Sequence, residues 1–482
     1  MYFRMIYDDK LAQAAYLIGC QRTGEAILID PERDIDRYLN LAAGEKLRIT
    51  AVTETHIHAD FLSGVREVAE KTGAKVYVSD EGDADWKYQW LNQKSGGGSY
   101  PHQLLKHGNT FKIGNIVFTV QHTPGHTPEH ISFLVTDTGG GAGEPMGVIT
   151  GDFVFVGDLG RPDLLETAAG IAGVKETSAR TLFKSAQQFM KLPDWLQVWP
   201  AHGAGSACGK ALGAVPQSTV GYEKRFNPSL LAANDETTFV QSILEGQPEP
   251  PLYFARMKKW NKEGPPLLPG GVLPKPKELN GESVKKLDAK TQAVIDTRLW
   301  AKFKAGHLPG ALWCPLNNNF PTVAGSFITE SESITLICET SQVDEAVRCL
   351  IRVGLDRIEA FATPSTLESS GAATMQTREI DAATFMKEMK DPKAFVLDVR
   401  KASEYEVGHV PGSLNVAHTR LLDHLGEVPQ GQPLLVHCQG GTRSAFASSL
   451  LERHGFTPTN IAGGFGAYEK AGGEVVRETV HA

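Results

Sequence analysis

The chain has 482 residues, too many for one hydrophobic core and enough for about three domains. Hydrophobic residues make up 41% and charged residues 22%, which excludes wholesale disorder and fibres. The net charge of −8 leaves no basic surplus to release counterions, so nucleic acid is not an expected partner. No window approaches 18 uninterrupted apolar residues, so no membrane span is expected. Met1 is followed within a few residues by Asp8, Asp9 and Lys10, with no apolar core of a secretory signal. Six cysteines, scattered from 20 to 438, are too sparse for a disulfide scaffold, so a reducing, cytoplasmic compartment is expected.

In chain order, residues 1–245 read as one α/β domain. Short β runs such as AAYLIGC, EAILID, RITAVTET, KVYVSD, IVFTVQHT and HISFLVTD alternate with helical stretches such as GVREVAEKTG and ARTLFKSAQQFMK. Two sheets with helices outside fit this pattern better than one open sheet. Within it, THIHAD places His56, His58 and Asp60 at the carboxyl end of a strand. TPGHTPEH follows with His126, ITGDFVF with Asp152 and WPAHGAGS with His202. Each candidate ligand follows a β run and stands near Gly or Pro. Ligands from distant parts of a chain reach one cleft on a rigid scaffold in this way.

Residues 246–280 hold eight of the 27 prolines. Proline fixes φ and removes a donor, so the stretch reads as a semi-rigid connector, neither continuous helix nor central strand.

Two similar pieces follow, 281–365 and 377–482, with a soft boundary at PSTLESSGAATMQ. VIDTRLWAKFKAGHLPGALWCPL and VLDVRKASEYEVGHVPGSLNVAH share D-x-R and G-H-x-P-G. Asp296 and Asp398, Arg298 and Arg400, and His307 and His409 are each 102 residues apart. A constant offset near 100 residues marks a duplicated domain. Strands alternating with helices imply a parallel sheet in each copy. In the second copy PLLVHC runs into HCQGGTRSA and then a helix. Cys438 therefore opens a loop whose backbone N–H groups, with Arg443 and a helix N-terminus, favour a thiolate. The first copy has CETSQVDEA instead, with no Gly pair and no Arg. Cys338 to Gly354 spans 16 residues where Cys438 to Gly455 spans 17, and Glu339 and Asp344 would oppose a thiolate.

The order HxHxD…H…D…H resembles the metallo-β-lactamase superfamily over about residues 1–240. The resemblance implies an αββα sandwich with a metal cleft at one sheet edge. Two-metal hydrolases of that group read HxHxDH. Here Phe61 occupies the last position, and a phenyl ring has no lone pair to give. The domain looks most like the persulfide dioxygenase branch, which implies one Fe(II) per chain held by His56, His126 and Asp152, a facial triad with open positions. His58, Asp60 and His202 would then orient ligands and substrate around it. GDLGRPD matches the same branch, and its Arg161 and Asp163 either brace the loop after Asp152 or contact an anionic substrate. Where the branch carries a Tyr that helps hold glutathione, this chain has Gly203–Cys208. The substrate implied is thus a low-molecular-weight thiol persulfide with O₂, the thiol being unspecified. Cys208 is either an inert buried thiol or a sulfur acceptor near the iron.

The Cys-x4-Arg loop and EYEVGHVPGSLN resemble the rhodanese family. Its short loop fits one sulfur atom, where the longer phosphatase loop cradles phosphate. The resemblance implies sulfur carried on Cys438 with sulfite and thiosulfate as partners, and a first copy kept for spacing or docking. The expected fold is α/β throughout, a metallo-β-lactamase-like sandwich followed by two rhodanese-like domains with parallel sheets. The expected activity is persulfide oxidation to sulfite coupled to rhodanese sulfur transfer, in sulfide detoxification. The alternative is a glyoxalase II-type thioester hydrolase fused to sulfur-carrier or docking modules. Homo-oligomerisation is compatible with either.

Overall fold

A computed structural model describes residues 1–167, 173–210 and 212–477. The chain forms two compact units. Met1–Val272 makes the bulk of the first, and Leu273–Leu350 with Gly354–Ala482 the second. The last residues of the span 377–482, from 478 onward, lie outside the described residues.

The first unit is two six-stranded sheets packed face to face. One runs in simple sequence order from Tyr2–Asp8 through Gln13–Cys20, Glu25–Ile29, Arg48–Thr53 and Lys75–Ser79 to His102–Leu105. The other holds Thr110–Ile113, Ile116–His122, Ile131–Asp137, Gly147–Gly151, Gln197–Pro200 and Ser218–Thr219. Alternation along the strands decides what each face meets. Leu17, Leu28, Val52 and Val76 face the helices Asp36–Gly44 and Val65–Thr72. Tyr16, Ile18, Ile27 and Ile29 face the partner sheet and meet Phe118, Phe133, Ile149 and Trp199. Behind that second sheet, Val148 and Val198 pack on Lys175–Phe189 and Glu236–Leu244. Burial on both faces explains why these strands read as near-continuous apolar runs. The layering is the expected αββα sandwich.

Part of the connector is regular structure. FARMKKWNKE, the proline-free stretch between Pro251 and Pro265, folds as the helix Phe254–Glu263, with Phe254, Met257 and Asn261 buried within the first unit. The prolines bound it on both sides, where a missing N–H costs nothing.

The second unit holds two five-stranded, wholly parallel sheets with the same strand order. The first copy is ordered Lys277–Glu278, Ile358–Ala362, Ile334–Ile337, Ala293–Asp296, Leu312–Trp313. The second is ordered Arg378–Ile380, Pro458–Ile461, Leu434–His437, Phe395–Asp398, Leu414–Asn415. The soft boundary after the first copy is a capped helix, Pro364–Ser370. Thr363 caps it, Pro364 opens it, and Gly371 closes it at φ +67°. No helix among the described residues is long and apolar enough to cross a membrane.

Candidate metal centre and cysteine loop

Strand ends bring the sequence-marked ligands together. His56 follows Arg48–Thr53, Asp152 follows Gly147–Gly151, and His202 follows Gln197–Pro200, all buried. One ligand atom each from His56, His126 and Asp152 falls within 4.8 Å of the others, and Asp60, His202 and Cys208 form a second such group. The groups adjoin, since His202 Nε2 lies 3.4 Å from Asp152 Oδ2 and 3.2 Å from Asp60 Oδ2.

The backbone sets which ring nitrogen faces the cleft. His126 Nδ1 lies 2.9 Å from the Arg161 carbonyl and His202 Nδ1 lies 3.0 Å from the Ala12 carbonyl. A carbonyl only accepts, so both Nδ1 atoms carry a proton and turn Nε2 to the cleft; in His126, lowered by burial, Nε2 keeps its lone pair, whereas Asp152, against burial, lifts His202 well above the usual imidazole range. His56 Nδ1 is 3.0 Å from Thr55 Oγ1, whose own proton goes to Asp30 Oδ2 at 3.1 Å. His56 Nε2 and His202 Nε2, with both oxygens of Asp152 and of Asp60, are buried without hydrogen-bond partners. Buried polar atoms without partners are costly, and a cation held by His56, His126 and Asp152 would satisfy the His56 and Asp152 atoms. Burial, reinforced by His58, holds His56 well below the usual imidazole range, and burial also lowers His126, so both stay neutral donors. Asp152 is held far below the carboxylate range; burial opposes this, but the surrounding imidazoles outweigh it. The donor set fits a metal ion.

His58 is held through one nitrogen, while its Nδ1 is buried without a hydrogen-bond partner. Its Nε2 lies 3.1 Å from Asp30 Oδ1, and although burial opposes its charge, the Asp30 hydrogen bond lifts it to about 9. Phe61 is buried with its ring 4.4 Å from that of His58. Arg161 and Asp163 form a buried fork, Nε to Oδ1 at 2.8 Å and Nη2 to Oδ2 at 2.6 Å. The Arg161 side chain also donates to the Ala207 carbonyl at 3.2 Å, and its backbone N–H to the Cys208 carbonyl at 3.2 Å. The pair thus ties the Asp152 loop to the Cys208 loop. Burial, then Asp60 and Asp152, pushes the Cys208 thiol up to about 12.

Asp30 and His130 are among the residues that escaped the sequence reading. Asp30 holds Thr55 through N–H and hydroxyl, at 2.7 and 3.1 Å, as well as His58. His130 Nε2 accepts the Asp152 backbone N–H at 3.1 Å while its Nδ1 meets Thr123 Oγ1 at 2.8 Å. Asp30 ends a strand, Glu25–Ile29, just as the marked ligands do, and that shared position is the signal available for it. Gly160 is required beside them, because a Cβ there would lie 1.8 Å from the Asp152 carbonyl oxygen.

In the second unit Cys438 follows the strand Leu434–His437 and is 1% exposed. The Gly441 N–H donates to its sulfur at 3.1 Å and the Ser444 hydroxyl points to it at 3.6 Å. Gly441 opens the helix Thr442–Arg453 at φ +96°, a conformation suited to glycine. Arg443 pairs with Glu404 at 2.7 Å and is raised above its ordinary range; burial opposes this, and Glu404 and the Cys438 sulfur favour it. In the first copy, burial and then Glu339 push Cys338 up to about 12, the opposite of an activated thiol.

The metallo-beta-lactamase superfamily pattern matches residues 8–202, and the rhodanese-like domain pattern matches 280–361 and 381–471. A crystal structure of a metallo-beta-lactamase from Staphylococcus aureus subsp. aureus COL is 41% identical, covering 76% of this chain and 98% of its own, at a TM-score of 0.66. A beta-lactamase hydrolase-like protein of Xylella fastidiosa (strain 9a5c) is 28% identical over 64% of this chain, which spans 65% of that relative's length. The mitochondrial persulfide dioxygenase ETHE1 of Bos taurus is 24% identical over 50% of this chain and 80% of its own. The chain belongs to the metallo-beta-lactamase superfamily, its sandwich followed by two rhodanese-like domains.

Proposed function

We propose that the first unit is an iron-dependent persulfide dioxygenase and that the last domain is the sulfurtransferase that handles its sulfur. One observation carries the reading. Three buried ligands, His56, His126 and Asp152, are of the two-imidazole, one-carboxylate type, while Phe61 removes the histidine a second hydrolytic metal would use. The named activity of the bovine relative supports it. Bound by these three residues, one Fe(II) would supply redox chemistry and open positions for substrate and O₂. The protein's own part is to keep the imidazoles neutral, fix their Nε2 atoms on the cleft and exclude bulk water. One persulfide, one O₂ and one water then give one thiol, one sulfite and two protons. Asp60, His202 and Cys208 stand beside the triad, where they would orient the persulfide.

Cys438, under the Gly441 N–H and Arg443, would carry the terminal sulfur as an enzyme persulfide. Attack of sulfite on that outer sulfur breaks the S–S bond, returns the Cys438 thiolate and releases thiosulfate. Oxygen uptake and sulfur products on a low-molecular-weight persulfide test both halves. Iron-dependent uptake should be lost in His126→Ala, and Cys438→Ser should accumulate sulfite in place of thiosulfate. Thioester hydrolysis without oxygen uptake would overturn the first half, and unchanged thiosulfate formation in Cys438→Ser the second.

A further inference from the structure

The helix Phe254–Glu263 lies in the stretch that composition marks as a semi-rigid connector, and one of its side chains reaches the loop that carries the candidate ligands. Asn261, 1% exposed, donates from Nδ2 to the carbonyls of His58 and Phe61, both at 2.8 Å, and its Oδ1 accepts the Ser63 N–H at 2.9 Å. All the amide's polar atoms are used on one loop, 58–63. The helix therefore holds residues 58, 61 and 63 through Asn261, on both sides of Asp60.

We infer that Asn261 is a positioning residue of the metal centre, setting His56 and Asp60 through the loop backbone. The inference rests on reading the cleft as a metal centre. Asparagine is specific here because the loop presents two acceptors and one donor. Aspartate keeps the acceptor but brings a carboxylate oxygen against two carbonyls. Supporting partners of this kind typically change metal affinity by about 10- to 100-fold.

The test is cobalt(II) titration of the metal-stripped full chain, read by its visible d–d bands and by affinity, with folding checked by circular dichroism. Asn261→Asp, and the milder Asn261→Ser, should weaken cobalt binding about 10- to 100-fold and shift the bands. Met257→Ala, which empties packing space on the same helix and leaves the Asn261 hydrogen bonds in place, should lower thermal stability but keep affinity and bands. Wild-type affinity and bands in both Asn261 variants would overturn the inference, as would an equal change in Met257→Ala. If wild type and His126→Ala bind cobalt alike, the reading of the cleft itself fails and takes the inference with it.

Discussion

Glu129 is fully buried, and burial, only partly offset by the Ile57 N–H, raises its carboxyl from 4.5 to about 7. The unfolded chain titrates this group near 4.5. Below that pH both states hold the proton and the folded state keeps its full stability. As pH rises toward 7 the unfolded state alone gives up its proton, and stability falls. Glutamine at this position stays neutral and still accepts the Ile57 N–H. Glu129→Gln should therefore gain on wild type by about 3 kcal/mol between pH 4.5 and 7, the shift converted at about 1.4 kcal/mol per unit. Denaturant unfolding across that range measures the gain, and parallel stability curves would show that Glu129 is not the source. The candidate ligands were legible because each combines a donor side chain with a strand end or a loop just after one. Glu129, Asp30 and His130 were not, since a hydrogen-bond partner is defined by tertiary placement, and no spacing encodes it.

At the scale of elements, what a stretch contributes depends on what its interior buries, and proline count alone misjudges it. Prolines at 248–251 and 265–276 gave the connector the composition of a spacer, but ten residues between them form a helix. Apolar Phe254 and Met257, one turn apart, form its buried stripe. Arg66 donates to the Pro265 carbonyl at 2.9 Å, fixing the exit of the helix as well. The strands were easier to read, because burial on both faces leaves apolar runs that stand out. A chain ending at residue 245 should therefore lose metal and unfold at lower temperature than one ending at 272, although both contain every marked ligand. Losing the Phe254 and Met257 contacts alone should cost about 3 kcal/mol or more. Metal content and thermal melting of the two fragments check this, and equal behaviour would return the connector to a spacer.

Within the second unit, duplication explains why a copy without the Gly-rich, Arg-bearing cysteine loop keeps the motif of one that has it. Both copies spend the motif alike. Arg298 and Arg400 grip their own aspartates and donate to the carbonyls of Gly306 and Gly408 at 2.9 and 2.8 Å. His307 stacks on Phe303 at 3.9 Å and His409 on Tyr405 at 3.8 Å. The first copy adds contacts across to the second. His307 Nε2 lies 3.1 Å from Glu452 Oε2, both side chains being at most 3% exposed. The Trp313 N–H donates to Ser449 Oγ at 3.0 Å, and its ring packs 5.0 Å from that of Phe446. Phe446, Ser449 and Glu452 form one face of the helix Thr442–Arg453, whose first turn carries Arg443 and frames the Cys438 sulfur. The first copy thus braces the helix on which the Cys438 loop is built. His307→Ala leaves the Glu452 carboxylate buried and unmatched, at a cost of about 1–3 kcal/mol. It should lower the melting temperature of the rhodanese-like pair as one cooperative transition and reduce thiosulfate turnover. Adding Glu452→Gln should recover part of the loss, because the amide no longer buries a charge, and the double-mutant cycle measures the coupling. Additive losses, or a first copy that melts separately while Cys438 keeps full turnover, would show that the two copies merely share a chain.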